Sequence, residues 1–148
     1  MKTTAISITA LFFLIFNAFV QQPDYAQLKT EAETQYAQGS YARANETYAR
    51  VDKSKLNADE LRWVEFRLAD TSWRAQSATQ TADTTKYEQA QKQLEELIKA
   101  ADKPEDRDLV WAEAHESLGD LFWVRQGGMN WALAWQHYQP ALDWWAGQ

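Results

Sequence analysis

His115 and Glu116 stand side by side, the pairing that opens a zinc-protease helix when a second histidine follows four residues after the first. That fourth position is Gly119, so the ligand pair is incomplete. His115 shares a helical face with Trp111 and Leu118 and reads as a packed histidine, while His137, beside Tyr138, reads as a surface residue. Glu95-Glu96 and Glu105-Asp106 read as solvated helix faces or partners of a helix dipole, which leaves paired-acid hydrolysis without specific support. The chain has no cysteine, and with it go disulfides, thiolate metal sites and thiol nucleophiles. It also lacks a glycine-rich phosphate loop and a nucleophile elbow. These residues predict no catalytic set, no metal site and no cofactor.

Binding chemistry is better represented. If the segments around Ala32, Ala69 and Gly119 are set in register, Glu33, Asp70 and Asp120 fall at one position, and Tyr36, Trp73 and Trp123 fall three residues later. Acids beside aromatics suit a neutral-to-basic protein or peptide, with cation–π contacts to its Arg or Lys as one option. Trp63 and Phe66 join Trp73 on a stripe separate from Leu61, Val64 and Leu68. Burial of these aromatics between helices is the competing reading. Stacking on sugar rings, in a carbohydrate-binding or hydrolytic helical domain, is a lesser one.

These residues need elements to position them. The 148 residues are 45% hydrophobic and 14% aromatic, enough for one domain with a real core. A formal net charge of -6 disfavours nucleic acid, because the chain carries no cationic surplus to release phosphate counterions. MKTTAISITALFFLIFNAFV has a lysine near its start and an apolar run from Ala5 to Val20, and so predicts a signal peptide over residues 1–22. The alternative is an uncleaved anchor through residues 5–20. Either places residues 23–148 outside the cytoplasm, in the periplasm or secreted.

That remainder is rich in Ala, Glu, Gln, Leu, Lys and Arg and has no long alternating stretch, so it predicts an all-α domain. Asn57 with Glu60, and Thr85 with Glu88, spell capping boxes; Pro104 before Glu105 and Asp106 spells a helix start; Asn130 can cap a last helix. Breaks at Gly39-Ser40, Ser77 to Asp83 and Gly127-Gly128 complete six predicted helices, at about 24–38, 41–52, 58–76, 85–101, 104–126 and 131–145.

The even-numbered helices carry one stripe: Tyr41, Ala44, Tyr48, Val51, then Tyr87, Ala90, Leu94, Leu97, then Trp131, Ala134, Tyr138, Ala141. The odd-numbered helices carry a small residue and an aromatic four later: Ala32 and Tyr36, Ala69 and Trp73, Gly119 and Trp123. This pattern resembles the tetratricopeptide repeat, in which Gly-x-aromatic, Ala and a second aromatic recur. The resemblance covers residues 24–145 and implies three stacked helix pairs in an α-solenoid, whose first helices line a concave binding face. Glu31 stands where the family has Leu, Tyr87 has no preceding Gly, and the units exceed the family's ~34 residues.

A second resemblance rests on LRWVEFRLADTSWRAQSATQTADTTKYEQA, WAEAHESLGDLFW and HYQPALDWWAG. These segments are similar to the N-terminal helical region of bacterial alpha-2-macroglobulin-like proteins. The likeness implies a helical accessory or docking module of an exported protein. It does not extend to protease trapping, since no thioester segment is present. The Trp-rich end, through Trp144 and Trp145, predicts one of three outcomes: the two fold back on the last helix pair, meet another subunit, or pack on a further domain of a longer protein. The last two outcomes support an alternative reading, a structural or assembly segment.

Overall fold

The structure, a computed structural model, describes residues 23–77, 79, 83–101, 103–125 and 127–148. The predicted leader or anchor lies outside them. Among the described residues the chain forms six α-helices and no strand: α1 (Tyr25–Ala37), α2 (Tyr41–Ala49), α3 (Ala58–Ser77), α4 (Thr84–Lys99), α5 (Leu109–Val124) and α6 (Trp131–Ala146). The domain is all-α.

Capping side chains set most of the starts. Asn57 accepts from the Glu60 amide while the Glu60 carboxylate accepts from the Asn57 amide, the reciprocal box expected ahead of α3. Asp24 and Gln27 close a similar box at α1, and Asn130 accepts from the Leu133 amide at α6. Two expected starts move. Ahead of α4 the cap is Asp83, which accepts from the Thr85 amide, in place of the Thr85–Glu88 box. Pro104–Asp106 makes a single 3-10 turn, and α5 begins only at Leu109, where Asp108 accepts from the Trp111 amide at 2.7 Å. Arg107, extended at ψ 117, separates turn from helix. Gly39 and Gly127 take φ of 72° and 69°, left-handed values that a side chain would resist.

Helices adjacent in sequence pack on one another throughout, and α3 also packs on α5. The main core gathers Phe66, Trp73, Tyr87, Leu94, Leu118 and Leu121; a second, toward the N-terminus, gathers Leu28, Tyr48, Val51 and Val64. The small residues of the sequence pattern, Ala32, Ala69, Gly119, Ala44, Ala90 and Ala134, are all buried. Gly119 shows why size matters there: a β-carbon on it would overlap the Tyr138 ring of α6.

At the C-terminal end Trp144 packs against the Trp111–Ala112 cluster, and its indole donates to the Arg107 carbonyl. The Trp145 indole donates to Glu116. Both therefore fold back on α5 and its approach, the first of the three outcomes expected of them. No helix among the described residues is long and apolar enough to cross a membrane.

Candidate functional site

Glu33, Asp70 and Asp120 sit on α1, α3 and α5, and two arginines of α3 string them together. Arg67 donates through Nε and an Nη to the two Glu33 carboxylate oxygens, at 2.9 and 3.0 Å, the bidentate geometry that suits guanidinium. Its other Nη lies 3.7 Å from Asp70 and 3.9 Å from Glu113. Arg74 donates to Asp70 at 2.8 Å and to Asp120 at 2.7 Å. Asp70 also accepts from the Ser117 hydroxyl at 2.6 Å, and Ser117 in turn accepts from the Trp73 indole. Tyrosines close the two ends: the Tyr48 hydroxyl donates to Glu33, and the Tyr138 hydroxyl donates to Asp120 at 2.7 Å.

The electrostatics keep this network in one protonation pattern. Burial, reinforced by the bonded carboxylates, raises the pKa of Tyr48 and Tyr138, so both hydroxyls hold the protons they donate. Burial works against the charge of Arg74, but Asp70 and Asp120 outweigh it and the pKa rises. Burial pushes Glu113 up, with Arg67 opposing.

The arrangement corrects the expected binding groove. Asp70, Phe66 and Trp73 are buried and present no surface to a partner. Tyr36 and Trp63 are half-buried beneath Arg67, whose guanidinium lies 4.2 and 4.6 Å from their ring centroids. Glu33 is held by Arg67. Asp120 is bound by Arg74 and Tyr138, yet its side chain is 39% exposed. The basic groups expected from a peptide are thus supplied by α3 itself, and the ladder is largely an internal polar seam. Phe66 and Trp73 belong to the core because their stripe faces α4 and α5, whereas Leu61 and Leu68 are only half-buried.

Trp123 is the exception among the predicted contact residues, at 53% exposed. Its ring lies 5.9 Å from that of Trp131, 67% exposed, and Trp135 on α6 is 60% exposed. With Leu142 they leave one edge of α6 apolar and open. Trp131 belongs to the repeated stripe and Trp135 to the Trp-rich end of the sequence; the run WALAW, with two tryptophans four apart, is the signal that sets both on one helix face.

His137 does not lie on the surface as expected. It is half-buried and stacks on Phe122, and its Nδ1 faces His115 Nδ1 at 3.2 Å. One ring must then donate and the other accept, so the two cannot both be protonated. Burial, with His137 and Arg107 adding to it, lowers the His115 pKa to about 4. Among the described residues no cluster of three or more His, Cys, Asp or Glu is placed to hold a metal.

No protein family, curated protein or solved structure matches the chain.

Proposed function

We propose that residues 23–148 form an exported, non-enzymatic, tetratricopeptide-like module of three helix pairs that binds a protein partner, through the tryptophan-bearing edge of α6. The setting would be that of the helical region in alpha-2-macroglobulin-like envelope proteins. The burial of a small residue at each aligned position supports the repeat reading. The observation that carries the binding reading is an asymmetry. The exposed residues of α1 include Gln27, Thr30, Glu31 and Thr34, a polar end, whereas α6 exposes Trp131, Trp135 and Leu142. Helical arrays end in polar faces when nothing covers them, and open apolar patches mark contact sites.

A photo-reactive amino acid at position 135, and a second at position 34 on the polar end, test this in the cells that make the protein. A cross-link to another protein from position 135, with none from position 34, is expected. Adducts joining only copies of this chain would favour the assembly reading, and absence of any adduct from position 135 would overturn binding there.

A further inference from the structure

In each of the first two helix pairs, the acid of the ladder receives a donor from the helix that follows the pair. Two residues before Ala69, Arg67 of α3 grips Glu33 of α1. Two residues before Gly119, Ser117 of α5 donates to Asp70 of α3. Asp120 has the tyrosine of its own pair, Tyr138, and borrows Arg74 from α3, and among the described residues no helix lies against α6 as α3 lies against α2 to supply a further donor.

The aromatics repeat this register. Tyr36 and Tyr41 form an edge-on pair with centroids 5.2 Å apart. Arginines of α3 roof it, Arg67 at 4.2 Å from Tyr36 and Arg74 at 5.9 Å from Tyr41. Tyr87 is likewise roofed by Arg125, at the end of α5. Trp123 and Trp131 hold the register positions of Tyr36 and Tyr41, and among the described residues no guanidinium lies over them.

The outer edge of α6 continues the correspondence. Trp135 holds the position of Asn45, which donates to the Leu68 carbonyl and the Thr71 hydroxyl of α3. Leu142 holds the position of Ile98, which packs on the cluster of Ala101 with Trp111 and Ala112 of α5. Positions that touch the following helix on α2 and α4 are therefore open on α6.

We infer that Asp120, Trp123, Trp131, Trp135 and Leu142 form the seat for an amphipathic helix of a partner protein, one that carries arginines beside its apolar stripe. One arginine would reach Asp120 and another would roof the Trp123–Trp131 pair, as Arg67 and Arg74 of α3 do for the first pair. This rests on the protein-binding reading and adds the chemistry of the partner. A second copy fits less well. Its α1 end is polar, and two α6 edges placed face to face would bring Asp120 toward Asp120 with no arginine beyond the Arg74 that each already holds.

The probe is a fluorescein-labelled peptide with the α3 sequence Ala58–Ser77, which carries both arginines, titrated with the full chain and followed by anisotropy. Saturable binding is expected, weakened at least tenfold by Trp131→Ala with Trp135→Ala in the protein, and by Arg67→Gln with Arg74→Gln in the peptide. Asp120→Asn should weaken it severalfold. Circular dichroism on the exposed tryptophan variants verifies that they fold. Absence of saturable binding, or binding indifferent to either double substitution, overturns the inference. So does a concentration-dependent dimer in sedimentation that Trp135→Ala dissolves, because a second copy would then occupy the seat. If position 135 still cross-links to another protein while the peptide fails, the binding reading stands and the arginine-bearing helix falls.

Discussion

Asp70 is the residue on which the polar seam depends. Its carboxylate is fully buried, and it accepts from Arg74 and Ser117 while facing Arg67 at 3.7 Å. Replacing it would leave the buried Arg67 and the half-buried Arg74 short of an anion, the situation in which breaking a buried pair costs about 3–5 kcal/mol. Asp70→Ala should therefore lower the stability of the domain by that amount in urea unfolding. Asp52→Ala, at an exposed carboxylate whose partners are the neighbouring Ser54 and Lys55, should change it far less.

The histidine pair gives a pH dependence with a definite sign. A histidine whose folded pKa is depressed to about 4 stays neutral in the fold while the unfolded chain takes up a proton near 6.5. Its contribution to stability is therefore intact above about pH 6.5, is lost as pH falls toward 4, and levels off below that. His137 is shifted in the same direction by burial, with Glu95 opposing. Arg107 acts on His115, Trp111 and Phe122 pack against the two rings, and Glu95 is the carboxylate that acts on His137. Unfolding midpoints measured from pH 7 to 4 should fall more steeply for the wild type than for His115→Leu. Parallel slopes would show that the pair does not titrate as described.

At the scale of elements, the α5–α6 contact is set by the absence of a side chain. Because a β-carbon at Gly119 would overlap the Tyr138 ring, Gly119→Ala must push α6 outward or turn Tyr138 away from Asp120. Overpacking of this kind costs about 1–3 kcal/mol. Ala69→Gly, at the aligned position of α3, should cost only the ~1 kcal/mol of a glycine in a helix interior plus its lost methyl contacts. Denaturant unfolding of the pair distinguishes steric from propensity effects.

The elements also show what could be read in the sequence. Caps that depend on neighbours three residues apart, Asn57 with Glu60 and Asn130 ahead of α6, were legible because the whole interaction is local. Pro104-Glu105-Asp106 misled, since proline with acids suits a single 3-10 turn as well as a long helix, and the cap at Asp108 lay four residues on. Glu33, Asp70 and Asp120 hold one register position on their helices, and Arg67 and Arg74 link them. That Arg67 and Arg74 reach across α1, α3 and α5 to pair with them is not legible in the register, because it depends on side chains meeting over separations of 34 and 46 residues. Their spacing three before and four after Asp70 was the available hint.

For the whole molecule, the decisive property is polarity from one end to the other. A polar α1, a seam whose acids are paired with two arginines of α3 and an apolar α6 edge make an object with one sticky end. Of the eight tryptophans in the chain, Trp73 and Trp111 are buried while Trp123, Trp131 and Trp135 are more than half exposed. Exposed side chains contribute little to the fold, so substitutions there should leave stability within about 0.5 kcal/mol while removing the patch. Replacing both Trp131 and Trp135 by Gln should therefore abolish most binding of a hydrophobic dye such as ANS and leave the thermal unfolding curve nearly unchanged. Replacing Trp73 by Gln would do the reverse, leaving the α6 edge intact but opening the core by the loss of a buried indole and its bond to Ser117. Dye binding that survives the first pair of substitutions would place the apolar surface elsewhere and remove the physical basis for a seat on α6.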